Sequence, residues 1–354
     1  MFDHIHKKYA GVPVYVLLFR QNREAMELIG LVPRERIFSI RNTSFLKFFL
    51  DSIRVLIQLR KLSIDAVIDC ELFTRISSLY SLLCGSKLRA AFHRHTQEGL
   101  FRGNFINRPV PYNPYQHISH QFITLAEALE SNDVPAVKRR VSETILQIPP
   151  LNFNRDEIER TATKFARDFP ECENKKIVLV YPGGGILPIR AWPRQYFTVL
   201  IRDLAQSGHA VGITGLPEDK ELAAGILSES ECPNCMDLTG YTKSVKELAI
   251  LFHLASLLIT NDGGPGHLAA MTPLPSIILF GPETPLLYRP LSTRSYCFHV
   301  PLSCSPCLTA YNHRNSPCDG DNQCLKRILP KDVLKKAYPI LDRQGIPLVP
   351  RPST

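Results

Sequence analysis

The stretch LLITNDGGPGHLAAM, residues 257–271, passes from an unbroken apolar run through an acid and three glycines into a short apolar helix. The run has no polar alternation, so it reads as a strand covered on both faces, as in parallel sheets. Asp262, Gly263 and Gly264 then lead to His267. Glycines at a helix start free backbone N–H groups where the peptide dipoles favour an anion, and His267 in that first turn can donate to a phosphate oxygen. Around this stretch lie further apolar strands: IVLVY (177–181) running into PGGG, AVGIT (210–214) running into GLPED, and SIILF (276–280). Helical patterns separate them. One opens at Trp192 with Pro193 in its first turn, where a missing N–H costs nothing, and ends at Gly208; another starts at Ser244-Val-Lys-Glu247, a capping-box pattern. Strands alternating with helices predict a doubly wound parallel sheet.

Open sheets of this kind bind ligands outside the carboxyl ends of their strands. Three loops fall there. PGGG, with Gly184 and Gly185, offers no side chains to obstruct a phosphate, and Arg190 a few residues on can supply a charge-assisted fork. GLPED places Glu218 and Asp219 where a ribose hydroxyl could be bound, and NDGGPGH is the third loop. Any one glycine-rich turn is usually only a turn. Three on one edge, with acids for ribose and bases for phosphate, suggest a nucleotide-diphosphate site. The strand–helix turns carry no G-x-G-x-x-G fingerprint, and the chain has no G-x-x-x-x-G-K-[ST] loop and no G-x-S-x-G elbow. These absences argue against a dehydrogenase, a P-loop NTPase and an α/β-hydrolase.

In the first half, residues 12–19, 36–40, 66–70 and 89–93 read as strands, and a helix is expected near Gln121 to Leu129. SFLKFFLDSIRVLIQLRKL (44–62) has Phe45, Phe48, Phe49, Ile53, Leu56 and Ile57 at helical spacing. So wide an apolar face fits core packing against a sheet, with a membrane-surface helix as the alternative. The expected division is one domain over residues 1–150, a connection over 151–174, a second domain over 175–343, and a tail over 344–354.

The length of 354 residues suits two domains, and 44% hydrophobic with 21% charged residues is an ordinary globular balance. No run approaches the roughly 20 apolar residues of a membrane span, and the start does not resemble a signal peptide, so a cytoplasmic setting is expected. The net charge of +9 comes from scattered basic residues, without an arginine-rich arm or aromatic–basic interleaving. That disfavours nucleic acid and fits an anionic ligand or a peripheral contact with an anionic membrane. Of ten cysteines, Cys304, Cys307, Cys318 and Cys324 cluster as C-x2-C…C-x5-C. They are a candidate structural zinc set, although free or paired thiols fit the wider second spacing better. His93, His95, His117 and His120 could touch an acceptor, but surface or helix-start roles are the commoner ones.

YPGGGILPIRAWP, TGLPED, LTGYTKSVKEL and LLITNDGGPGHLAAMTPLPSIILFGPETP resemble glycosyltransferase family nine, the heptosyltransferase-like enzymes, in order and spacing from about Lys175 to Leu334. The first half resembles the same family's acceptor domain more weakly, through LRKLSIDAVIDC and GSKLRAAFH. The resemblance implies a GT-B fold, α/β with two Rossmann-like doubly wound domains facing a cleft. It implies inverting, metal-independent transfer of a heptose-like sugar from a nucleotide-diphosphate donor to a lipopolysaccharide-type or other glycan acceptor, at the inner face of the cytoplasmic membrane, with no cofactor required. On this pattern Gly184, Gly185, Arg190, Asp262, Gly263, Gly264 and His267 meet the diphosphate, and Glu218 or Asp219 the ribose. Family members begin with a strand and a polar glycine-containing loop that often holds the carboxylate base. This chain begins instead at HIHKKYAGVPVYVLLF, so the N-terminal domain is expected to be incomplete, with an unfilled slot or a rearranged neighbour where that strand would lie. Glu71, after AVIDC, is the candidate substitute base, against a plain reading as a solvated or capping acid. A truncated member that binds donor without transfer, and a GT-B sugar-nucleotide epimerase, are the alternatives.

Overall fold

The computed structural model describes residues 1–93, 100–133, 146, 148–343 and 345. The chain folds as two units, Met1–Gln147 with Thr309–Asn315, and Ile148–Leu308 with Ser316–Thr354. Residues 151–174, expected as a connection, thus fold into the second unit. The expected tail lies outside the described residues except for Gly345, as does His95. No helix among the described residues is long and apolar enough to cross a membrane.

The first unit carries β1 (Val16–Phe19), β2 (Ile37–Ile40), β3 (Ala66–Asp69), β4 (Leu88–Phe92) and β5 (Arg108–Val110), with α1 (Phe2–Lys8), α2 (Arg23–Ile29), α3 (Phe45–Lys61), α4 (Arg75–Leu83) and α5 (Ile118–Glu127). All its pairings are parallel, but they form two ladders, β1-β2 and β3-β4-β5. The interruption falls between the second and third strands of the chain. Side-chain packing joins the ladders instead. Val55 and Leu59 of α3 pack with Leu17 and Phe38 of the first ladder and Val67 of the second. Phe2 of α1 packs beside Val16, Leu18 and Ile37, while Met1 reaches Cys70 at the end of β3.

At its other end α1 is held by charge. His4 Nε2 and Lys8 Nζ lie 2.5 and 2.9 Å from the two carboxylate oxygens of Glu127 on α5. Burial alone would raise Glu127, but its hydrogen bonds from Lys8 and His4 outweigh it and hold the carboxyl below its ordinary value. A depressed carboxyl stabilises the folded state above its unfolded pKa and loses that contribution as pH falls through the folded one. Hydrogen exchange should therefore find α1 protected down to the ordinary value of 4.5 and released below it. Glu127→Gln should loosen α1 at neutral pH and remove the step.

α3 departs from the expected core helix. Its Phe48, Val55, Leu56 and Leu59 pack inward, but Phe45, Phe49, Ile53 and Ile57 are exposed. The helix is apolar on two faces, and the interior needs only one.

The second unit holds β6 (Ile177–Tyr181), β7 (Ala210–Gly215), β8 (Cys235–Thr239), β9 (Leu257–Asn261), β10 (Ser276–Phe280) and β11 (Ser295–His299). They form one parallel sheet in the order β11-β10-β9-β6-β7-β8. The helices are α6 (Arg155–Asp168), α7 (Arg194–Gln206), α8 (Lys220–Ser230), α9 (Val245–Leu254), α10 (Gly264–Ala269), α11 (Pro285–Tyr288), α12 (Gln323–Lys326) and α13 (Pro330–Arg343). Successive residues of a strand face opposite sides, and each side has its own core. Val178 and Val180 pack with Phe197 and Leu204 of α7 and Val333 of α13. Ile177 and Leu179 pack with Phe165 of α6 and Leu251 and Phe252 of α9. That is a doubly wound sheet. Pro193 is the N-cap of α7 rather than part of its first turn, so the helix opens two residues after Trp192. Ser244 Oγ accepts from Glu247 N at 3.0 Å, and Glu247 Oε2 accepts from Lys243 N at 2.7 Å.

Candidate functional site

β6 and β9 are neighbours at the centre of the sheet, yet the chain leaves β6 toward β7 and β9 toward β10. Their carboxyl ends therefore border the switch point, the crevice that open α/β sheets use for ligands. The loops singled out in the sequence follow β6, β7 and β9, and a fourth follows β10.

Asn261, buried to 1% exposure at the end of β9, ties these loops together. Its Oδ1 accepts from Trp192 N at 3.0 Å, and its Nδ2 donates to Pro182 O at 2.9 Å and Gly183 O at 3.0 Å. Asn261→Ala leaves one buried donor and two buried acceptors to find new partners. About 1–3 kcal/mol of stability should be lost. Denaturant unfolding would measure this.

Next in the chain, Asp262 N donates to Leu279 O at 3.0 Å, which fixes the start of the glycine turn to β10. The Asp262 carboxylate lies 3.7 Å from Arg190 Nε, an ion-pair distance. Arg190 also donates from its terminal nitrogen to Glu283 Oε2. All three are largely buried, Glu283 to 2% exposure. Two carboxylates thus share one guanidinium. Sequence reasoning placed Arg190 and Asp262 here but not Glu283 or Asn261. Both of the missed residues sit inside the quoted motifs, Asn261 ending β9 and Glu283 in the loop after β10, and both are buried, where a polar residue needs a partner.

The glycines have different reasons. A Cβ at Gly184 would come within 2.8 Å of Pro188 Cα, and Gly185 has a φ of +60°, so both are set by the turn's own path. At Gly264 a Cβ would meet nothing within 4 Å. The fold does not demand that glycine, and it borders open space. His267 is exposed on α10.

Asp219 is half-buried, and its Oδ2 accepts from Leu216 N at 2.9 Å, closing the 216–219 turn. Glu218 is exposed. Burial first, and then the charges of Asp219 and Glu218, push the Tyr181 hydroxyl above its ordinary value, so both acids lie on the β6 side of the crevice.

In the first unit Glu71 is exposed just beyond β3. Its N–H donates to Asp69 Oδ1 at 3.0 Å, and its carbonyl accepts from Arg102 at 3.0 Å. The backbone is pinned, and the exposed carboxylate accepts from Thr74 Oγ1 at 3.5 Å. His117 caps α5, its Nδ1 accepting from Ser119 N at 3.2 Å, and His93 lies edge-on to Phe101.

The candidate zinc set is not assembled. Among the described residues no three His, Cys, Asp or Glu side chains converge as a metal-binding group, and all the cysteines are free thiols. Cys324 on α12 is buried in the core with Leu325 and Ile328, whereas Cys304 and Cys318 are exposed and Cys307 accepts from Ser316 at 3.1 Å.

Residues 53–316 match the family model described as glycosyltransferase family 9 (heptosyltransferase). Lipooligosaccharide heptosyltransferase 2 of Haemophilus ducreyi is 28% identical over 188 residues, covering 52% of each chain. The chain thus spans about half the length of curated relatives of this kind. Among solved structures, a family 9 glycosyltransferase from Veillonella parvula superposes with a TM-score of 0.73 at 18% identity over 97% of this chain and 92% of that one. ADP-heptose lps heptosyltransferase II of E. coli superposes with a TM-score of 0.70 at 19% identity, over 97% and 93%. At such identities the likeness shows the fold, which is the α/β GT-B class. With three quarters of its length inside the family model, the chain belongs to glycosyltransferase family 9.

Proposed function

We propose that the chain transfers a heptose-like sugar from a nucleotide-diphosphate donor to a lipopolysaccharide-type or other glycan acceptor, with inversion and without a metal ion. The observation that carries this reading is Arg190, held by Glu283 and Asp262 at the switch point beside open backbone at Gly264. In this reading the acceptor hydroxyl attacks the anomeric carbon from the face opposite the diphosphate, whose leaving charge needs fixed positive partners. Arg190 supplies one through the guanidinium edge that the carboxylates leave over, and backbone N–H groups of Gly263 and Gly264 supply others. Gly184 and Gly185 line the same approach, and His267 donates from the rim. Asp262 acts through Arg190 and the turn, since its own charge would repel a diphosphate. Glu218 is the better ribose ligand, because the Asp219 carboxylate is already spent on its turn. Glu71 is the candidate general base, supported by its solvent-facing carboxylate on a fixed backbone.

ADP-heptose is the first donor to test, by calorimetry with the full chain and by product analysis of the sugar transferred. Transfer with inversion is expected, with Glu71→Gln lowering kcat while donor affinity holds. Donor binding without transfer to any glycan acceptor would overturn the enzymatic reading and leave a nucleotide-sugar-binding relative. No affinity for any nucleotide diphosphate would overturn the site itself.

A further inference from the structure

The first unit carries an apolar surface that the interior does not use. On α3, Leu46, Leu50, Ile53 and Ile57 recur at helical spacing on the side away from the core, with Phe45 at 84% exposure stacked on Phe49. α4 extends the surface. It turns Ser78 and Ser81 inward and leaves Ile76, Leu79, Leu82 and Leu83 exposed. The two helices are locked side by side by the bond from Tyr80 to Ser52 and by Arg60 Nε donating to Leu83 O at 2.7 Å. So many large exposed side chains on two adjoining helices exceed the scattered apolar exposure of ordinary surfaces.

Basic residues border this surface. Lys47, Arg54, Arg60 and Lys61 of α3 and Arg75 of α4 are exposed. The only acid in α3, Asp51, is held by Arg41 at 2.7 and 2.8 Å. On the Arg54 side the chain opens into a cavity of about 480 Å³ lined by Arg20, Arg23, Arg34, Arg41 and Arg54. Its lining holds five guanidiniums against two carboxylates, Glu35 and Asp51. Glu27 outside it binds Arg23 at 2.6 Å and lies 3.6 Å from Arg34, so positive charge remains in excess.

We propose that the α3–α4 face is a docking surface for an anionic lipid bilayer, its phenylalanines and leucines entering the acyl boundary and the arginine cavity receiving headgroup phosphate. An apolar stripe flanked by Lys and Arg is the pattern of interfacial membrane helices. Fixed basic groups at the level of the headgroups add attraction to anionic lipid, and guanidiniums fit phosphate geometry. A second copy of the chain is a poorer occupant, because a two-fold contact would set the basic border of each copy against itself. The proposal does not rest on sugar transfer, and vesicle binding is read without catalysis.

The test is cosedimentation of the full chain with vesicles of phosphatidylcholine alone and of phosphatidylcholine with phosphatidylglycerol. Binding to the second and not the first is expected, weakening as salt is raised. Phe45→Ser/Leu50→Ser should lower partitioning at least tenfold. Arg20→Ala and Arg54→Ala should each lower it about fivefold. All four side chains are exposed, and unchanged thermal melting would confirm that the variants fold. Inorganic phosphate at matched ionic strength should compete only weakly, since it replaces the headgroup but not the apolar insertion. Equal binding to both vesicles, no binding to either, or indifference to Phe45→Ser/Leu50→Ser would overturn the proposal. So would dimerisation of the native chain in light scattering that the same double variant abolishes.

Discussion

Replacing Arg190 by methionine is expected to lower kcat/KM for sugar transfer roughly a hundred- to thousandfold, the loss typical of removing one fixed donor from developing negative charge. If the arginine meets the diphosphate mainly as it departs, the fall lies in kcat and donor affinity changes less. The substitution also strips Glu283 and Asp262 of the cation they share, so stability should fall with activity. The two effects separate in the double variant Arg190→Met/Glu283→Gln, which removes one carboxylate charge along with the guanidinium. Thermal stability should return toward the native value while transfer stays low. Arg190→Lys keeps a charge but loses the planar fork, and should lie between the native chain and the methionine variant. Full transfer by Arg190→Met would remove the residue from the site.

The second unit was legible because its sequence agrees with itself at every level. Strands of unbroken Val, Ile and Leu can only be covered on both faces, and each glycine loop follows one of them, so sheet, crevice and site edge follow together. β8 and β11 escaped because CMDLT and SYCFH mix polar with apolar residues at the sheet edges, where one side meets fewer neighbours. Glu283 escaped because its importance lies in its partner. Nothing in GPET states that Arg190, 93 positions earlier, returns to meet it. The first unit was harder for a related reason. α3 has an apolar surplus, and hydrophobic spacing cannot say which of two apolar faces the core will use. α4 is the opposite case, because its inward side is made of serines that pack only when Arg102 arrives from elsewhere in the chain.

That arginine carries the largest stability effect expected in the molecule. Arg102 is buried to 1% exposure and donates to Ser78 Oγ at 2.8 Å, Ser77 Oγ at 2.8 Å, the carbonyls of Glu71 at 3.0 Å and Phe92 at 3.3 Å, and the carboxylate of Asp69. Arg102→Met keeps most of the bulk but leaves Asp69 as an uncompensated buried charge, while Ser77 and Ser78 keep their bonds to Thr74 O. A loss of about 3–5 kcal/mol is expected in denaturant unfolding. The cost should come mainly from the abandoned carboxylate rather than from the pair itself. Arg102→Met/Asp69→Asn should therefore recover a substantial part of it, and the two single losses should not add. A double variant as unstable as the sum would mean that the serines and carbonyls, not the ion pair, hold this region. The same network fixes the Glu71 backbone from both sides, by Asp69 at its N–H and Arg102 at its carbonyl. If Glu71 is the base, the stability-recovered double variant should still lose kcat, because its carboxylate then rides on a looser turn. If Glu71 is only a solvated acid, kcat should recover together with the fold.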